Sequence, residues 1–438
     1  MSEHQKSQGF TPTQISEFYK KYPYPKVDSI EYDFNLLDHF QYLSGRCSNY
    51  QLSRKAPQRQ GRMLIAGCGT REAVMWAFSL PHYQIDAIDI SERSLEISKT
   101  LAAQLQLKNV RFIHANFELG EGLEGPYDFI HSFGVLHHLK SPERGLAHLE
   151  SVLAPGGLMS IMVYNDANRL HYQRAQRVIS LLTREVPPID QEQAAFSVVD
   201  RGSQVRNRLQ GVFRTAVEEY QDNPAQFADT MLNPQEVSYT IPSLIEYLGS
   251  SGLEICSPAL PINWQVQDLL TKSQQQIFNQ LSLVEQMEIC DHLKAPLFWV
   301  LVRRSSEVLK PRPCLQDSHL FWNLVPMPLE TGVFPVVQLM IQPPRPLTLT
   351  FEDAGDPLIS IRRGQTNQVF TYHRIAKTLI TLFDGKRTLK EIAQLACAQE
   401  GVGFDEVKGS LETMLREFID VLALATPDLS QCSQCPLN

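Results

Sequence analysis

The residues best suited to chemistry lie between 64 and 165. Leu64-Ile65-Ala66-Gly67-Cys68-Gly69-Thr70 reads as a buried strand running into a glycine turn and then a helix. Glycine there permits positive φ and lets a ligand approach the backbone. No third glycine follows; Glu72 and Ala73 occupy its place, which disfavours a pyrophosphate-binding dinucleotide site. Asp89 ends the next strand pattern, 22 residues after Gly67. A carboxylate at that place can accept both ribose hydroxyls of a nucleoside. The alternative is a cap for the helix beginning near Ser91. Further on, His137-His138 follows the fourth strand pattern. Histidine titrates near neutrality, so His137 is the candidate general base, with a role in shaping the pocket wall as the alternative. His131, inside that strand, reads as structural. Tyr164-Asn165 ends the fifth strand pattern, with Arg169 shortly after; these face the same crevice, although Asn165-Asp166 also fits a helix start.

The elements that must hold these groups alternate strictly. Met63–Ala66, Gln84–Ile90, Val110–His114, Tyr127–Phe133 and Leu158–Tyr164 read as strands. Ser91–Leu105 and Pro142–Val152 carry helical spacing. Strand and helix in alternation imply a parallel sheet with helices on both faces, joined by right-handed crossovers. The fold class is α/β, doubly wound. From about 165 to 250 the chain turns long, polar and helical, an insertion. Leu253–Leu260 and Leu297–Arg303 read as returning strands, with Gln265–His292 as one helix between them.

At this point residues 62–164 resemble a class I S-adenosylmethionine-dependent methyltransferase. The resemblance is carried by Ile65-Ala66-Gly67-Cys68-Gly69-Thr70, by Ile88-Asp89-Ile90-Ser91, by Tyr127-Asp128-Phe129-Ile130 with Gly134-Val135-Leu136-His137-His138-Leu139, and by Leu153-Ala154-Pro155-Gly156-Gly157. It implies a Rossmann-like sheet and S-adenosyl-L-methionine as cofactor. The implied cofactor residues are Ala66, Gly67, Cys68, Gly69, Asp89, Ile90, Asn116, Phe117, Phe133 and Gly134. Gly67 and Gly69 would pass under the methionine part and Asp89 would hold the ribose. Asn116 stands where the family usually has Asp against the adenine amine, and its amide oxygen can accept there. Phe117 would cover the adenine or pack in the core. Cys68 is not expected to be a nucleophile. The turn at Pro155-Gly156-Gly157 is structural.

Residues 1–60 form an extension with Phe18-Tyr19-Lys20-Lys21-Tyr22-Pro23-Tyr24-Pro25. The resemblance implies that this Tyr-Pro-Tyr-Pro element, with Tyr22 and Tyr24, folds over the active site; a strap on the sheet edge is the alternative. Asp229–Thr240, including Asn233-Pro234 and Tyr239, reads as a second lid element. Tyr22, Tyr24, His138, Tyr164, Asn165 and Tyr239 are therefore the substrate and lid candidates.

The methyltransferase domain is expected over 61–305, a proline-rich linker over 306–357, a small winged-helix-like domain over 358–425, and a tail over 426–438. Nine of the 27 prolines fall between Pro311 and Pro357. Leu358–Phe370 reads as a hairpin around Gly364. His373–Phe383, Thr388–Gln399 and Phe404–Val421 read as helices, Thr388 and Glu391 fitting a capping box. The stretch from Phe383 to Ile392 resembles small domains that bind leader peptides, and C-terminal domains of some protein-lysine methyltransferases. That leaves the acceptor as a small molecule or a peptide or protein. A packing or dimerisation module is the bland alternative for this domain.

The 438 residues carry a net charge of -8, with 43% hydrophobic and 20% charged residues. This composition excludes a mostly disordered chain. The charge argues against nucleic acid as partner, and no apolar run is long enough for a membrane span. A polar N-terminus and eight scattered cysteines point to a soluble cytoplasmic protein with reduced thiols. Cys432-x-x-Cys435 supplies two ligands, short of a structural zinc site, so no metal is expected. Oligomeric state is not legible. A cofactor-binding regulatory or scaffold protein without methyl transfer is the alternative function.

Overall fold

A computed structural model describes residues 12–25, 61–80, 83–187, 191–200, 204, 224–233, 235–258, 266, 269–294, 297–306, 322, 325–328, 348–352, 358–363, 366–371, 375–382, 387–418 and 422–425. These fall into two compact units. The first takes 12–25, 61–77 and 84–306; the second takes 78–80, 83 and the residues from 322 onward.

The first unit is built on β1 (Gly61–Ala66), β2 (Tyr83–Asp89), β3 (Val110–His114), β4 (Tyr127–Phe133), β5 (Leu153–Asn165), β6 (Ser238–Tyr239), β7 (Leu253–Pro258) and β8 (Phe298–Arg304). The order across the sheet is β3-β2-β1-β4-β5-β8-β7, with β6 beside β5. The β2–β3, β1–β4 and β4–β5 pairs are parallel. Strand β8 runs antiparallel to both β5 and β7. This is a mostly parallel, Rossmann-like sheet. Met63, Leu64, Ile65 and Ala66 are all fully buried, as a strand covered on both faces requires. The order reverses between β1 and β4. That reversal opens a crevice at the carboxyl ends of the strands.

The expected strand β5 is longer than its apolar run. It starts at Leu153 and is interrupted by Pro155-Gly156-Gly157: Tyr127 pairs with Leu153, yet Phe129 pairs with Leu158. Gly156 has φ +71°, so the turn is absorbed as an irregularity inside the strand. The segment read as one helix over Gln265–His292 is two, Lys272–Phe278 and Leu283–Lys294. Ser282 caps the second, accepting from the Glu285 N–H while the Glu285 carboxylate accepts from the Ser282 N–H. Such a reciprocal cap starts a new helix.

In the second unit, β9 (Val325–Pro328) pairs with β13 (Leu422–Ala425), and β10 (Thr348–Glu352), β11 (Leu358–Arg363) and β12 (Thr366–Thr371) form an antiparallel sheet. Two of these strands arise within the stretch read as a linker. Pro326 and Pro328 of β9 lie opposite Leu424 and Leu422, in a two-stranded ladder whose strands are both edge strands, where proline is tolerated. Helices cover Ala376–Leu382, Leu389–Glu400 and Phe404–Phe418. The expected Thr388–Glu391 capping box is present. Gly364, residues 383–386, most of the proline-rich stretch, the Cys432/Cys435 pair and the tail lie outside the described residues.

Candidate functional site

The glycine turn leaves β1 with Gly67 at φ +76° and Gly69 at φ +55°. Both need glycine for a second reason. A Cβ on Gly67 would lie 2.4 Å from a Val135 methyl group, and one on Gly69 would lie 2.7 Å from the Tyr24 carbonyl oxygen. The Gly67 and Cys68 N–H groups donate to the Ile88 carbonyl at 2.8 and 3.0 Å. The turn is thereby fastened to the end of β2, where Asp89 lies. Asp89 Oδ2 accepts from the Gly69 N–H at 2.8 Å and Oδ1 accepts from the Ser91 N–H at 2.8 Å. Ser91, not Asp89, is the side-chain cap of the following helix. Burial pushes the Asp89 carboxyl up, against the two backbone donors that favour its charge. Its remaining lone pairs are open to further donors.

Asn116 follows β3 and caps the short turn Phe117–Leu119. Its Oδ1 accepts from the Glu118 N–H at 3.0 Å. Its Nδ2 is buried without a hydrogen-bond partner. The expected oxygen is thus occupied, and the free function is an N–H donor. Phe117 is buried in the main core cluster. Ile90 offers its carbonyl to Ser16 Oγ at 3.0 Å, and Ala66 offers its carbonyl to Ser132 Oγ at 3.2 Å. Burial pushes the Cys68 thiol well up, with Asp89 and Glu72 adding to it, so it is held as the inert thiol. Phe133 and Gly134 end β4; Gly134 has φ +75°. His131 is fully buried and bonds Glu72 at 2.6 Å, which makes it a strut between β4 and the helix after the glycine turn.

Val135, which closes on Gly67, leads into the turn Leu136–His138. His137 is fully buried, its ring 3.8 Å from the Tyr164 ring. Neither of its nitrogens has a hydrogen-bond partner. Burial, then His138 and Arg169, hold its pKa well below the ordinary histidine value. It is a neutral imidazole at physiological pH and a weak base. Tyr164 lies under the Arg169 guanidinium at 4.2 Å. Asn165 proves to be the helix start: its Oδ1 caps Asn168 at 2.9 Å and its Nδ2 donates to Asp291. Its polar atoms are thereby committed inside the fold. Tyr239 pairs with Asn165 on β6 and packs against Tyr247 in the core.

The N-terminal segment forms a helix, Pro12–Lys21, followed by the tyrosine-proline element. The Tyr24 carbonyl accepts from the Thr70 N–H at 3.2 Å, and Thr70 Oγ1 donates to the Pro25 carbonyl at 2.5 Å. The same segment reaches the insertion. Tyr19, Tyr22 and Tyr24 donate to Asp229, Glu192 and Gln226. The strap and the insertion therefore meet beside the glycine turn. Sequence reasoning placed Asp229 and Glu236 only within the lid element Asp229–Thr240, and Val135 only within the motif after β4; their individual partners, far along the chain, are what the sequence does not mark.

A family model described as a methyltransferase domain matches residues 64–159. An uncharacterized protein of Synechococcus is 31% identical over 270 residues, 59% of this chain and 63% of that protein. The tRNA 5-carboxymethoxyuridine methyltransferase of Escherichia coli K12 is 34% identical over 116 residues, 26% of this chain and 44% of that enzyme. The chain thus spans less than two thirds of the length of these relatives. Among solved structures, PKMT2 from Rickettsia typhi in complex with AdoHcy superposes with a TM-score of 0.59 at 14% identity, over 88% of this chain and 75% of that one. That likeness is one of fold.

Proposed function

We propose that this chain, whose residues 64–159 match a methyltransferase domain model, is a class I S-adenosylmethionine-dependent methyltransferase that transfers a methyl group from S-adenosyl-L-methionine to an acceptor. The reading rests on one observation: the Asp89 carboxylate, at the end of β2, grips the Gly69 N–H of a positive-φ turn at the point where the sheet order reverses. A nucleoside fits there, because Asp89 keeps lone pairs for ribose hydroxyls and Asn116 holds a buried, unpartnered N–H donor suited to an adenine ring nitrogen.

When bound, the cofactor supplies an electrophilic methyl group already activated by its sulfonium charge. The protein has to orient the acceptor and exclude water. The fastened glycine turn fixes one side. The Tyr24–Thr70 contact closes the strap over it, and the insertion completes the wall through Tyr19, Tyr22 and Tyr24. Near-attack positioning of this kind can supply roughly 7–11 kcal/mol of the barrier in model systems. Gly67, Gly69, Asp89, Ile90, Asn116, Phe133 and Gly134 would hold the cofactor. Ala66 and Cys68 shape the turn, and Phe117 backs it from the core. His137, buried and neutral, shapes the wall rather than taking protons.

Isothermal calorimetry tests the reading. S-adenosylmethionine and S-adenosylhomocysteine should both bind, and Asp89→Ala should weaken them by about tenfold or more, ~1.4 kcal/mol. Its circular dichroism should match that of the parent chain. Absence of binding by the parent protein would reject the cofactor assignment.

A further inference from the structure

Beside this crevice the chain buries a second group of ionisable side chains that the cofactor does not use. Asp229 lies in the π-helical turn Ala228–Leu232 and is 6% exposed. Such turns are rare and concentrate at functional sites. Among the described residues its hydrogen-bond donor is Tyr19, at 3.0 Å from Oδ1, and Tyr19 in turn accepts from Asn233 Nδ2 at 3.0 Å. The nearby cation, Arg169, is already engaged. Its Nε and Nη2 donate to the Glu236 carboxylate and Nη2 also to the Thr230 carbonyl. Among the described residues Arg169 is thus held by Glu236, and His138 is the other group whose charge would favour the Asp229 carboxylate.

His138 is the independent observation. Its Nδ1 is 2.7 Å from the Gln235 carbonyl oxygen. A carbonyl only accepts, so Nδ1 carries the hydrogen and Nε2 presents a lone pair in the neutral ring. That Nε2 is buried and has no partner, on a residue 5% exposed. The neighbourhood is rich in acceptors and, among the described residues, poor in free donors, with the Tyr19 and Tyr164 rings beside it.

We propose that Asp229 and His138 form the subsite that holds a cationic amine group of the methyl acceptor, a reading that rests on the methyltransferase assignment above. An ammonium group brings the missing donors and the missing positive charge, and aromatic faces favour a cation. An anionic acceptor would meet Asp229 while Arg169 is already held by Glu236. A neutral hydroxyl brings fewer donors and no charge.

The full-length protein, saturated with S-adenosylhomocysteine and carrying 13C-labelled histidine, is titrated with n-butylamine, n-butanol and n-butyrate. The His138 resonance is assigned with His138→Gln. A saturable His138 shift is expected with the amine only. Asp229→Asn should weaken it by about tenfold, while S-adenosylhomocysteine affinity stays that of the parent chain. An equal response to the alcohol or the carboxylate, or no saturable response to the amine, overturns the proposal. A second arm uses the unaltered protein with methyl-labelled S-adenosylmethionine in lysate. The label is expected in an acceptor that carries an amine; its recovery in the protein or the small-molecule fraction identifies the source of the amine. Label confined to acceptors without an amine overturns the subsite. Failure to bind S-adenosylhomocysteine at all would instead bring down the cofactor assignment.

Discussion

Asp86, Asp89 and Asp229 in the first unit differ in what surrounds them. Burial pushes Asp86 up, but hydrogen bonds from Arg111 and Tyr127 and the charges of Arg111 and Arg62 bring it below the ordinary carboxylate range. Arg111 Nε and Nη2 lie 2.9 and 3.0 Å from its oxygens, and the Tyr127 hydroxyl 2.9 Å. The network ties β2, β3 and β4 together at the end away from the crevice. The folded carboxyl binds its proton less tightly than the unfolded one, so its contribution is present at neutral pH and is lost as pH falls through the folded value. Asp86→Asn should cost about 1–3 kcal/mol at neutral pH. The deficit, read from urea unfolding, should shrink on acidification through and below the ordinary carboxylate range. A pH-independent deficit would mean that the loss is one of packing. Asp89 and Asp229 have the opposite sign. Burial raises both, as it raises Asp291, the partner of Asn165, so their carboxylates are held at a cost to stability.

At the scale of elements, the strap is the segment that joins the glycine turn to the insertion. It packs through Phe18, Tyr22 and Tyr24 against Ala225, Ala228 and Leu232 of the insertion. Its backbone holds the glycine turn at Thr70. One segment thus touches both the cofactor side and the acceptor side. Removing residues 1–25 should leave the sheet folded and weaken S-adenosylhomocysteine chiefly through faster release. Stopped-flow fluorescence would show it as a raised dissociation rate with little change in association. A chain whose release rate is unaltered would reduce the strap to an edge-packing element. The insertion is fixed by a different device. Asn165 caps the Asp166–Thr183 helix and bonds Asp291, so the point where β5 ends also sets where the insertion begins.

For the whole molecule, every candidate cofactor residue lies in the first unit. A chain truncated after residue 307 should keep its affinity for S-adenosylhomocysteine within about threefold, ~0.7 kcal/mol. If the second unit recruits a peptide or protein acceptor, that truncation should abolish labelling of the protein fraction while sparing small amines. Equal loss in both fractions would assign the second unit to stability instead. Among the described residues no helix is long and apolar enough to cross a membrane.

The sequence by itself determined the sheet and the cofactor crevice. Strand period, glycine turn and the acid at the end of β2 are local patterns, each readable within a few residues, and the alternation of strand and helix then leaves few topologies. Val110–His114 and Tyr127–Phe133 were legible to the residue for that reason. The Asn165 helix start and the core placement of Phe117 were legible only as alternatives, because one residue type suits both roles. The acceptor side was decided by tertiary structure alone. Tyr19 meets Asp229 across 210 residues and His138 meets Gln235 across 97. No spacing rule links such pairs, since burial and the direction of a lone pair exist only once the insertion and the strap have packed against the sheet.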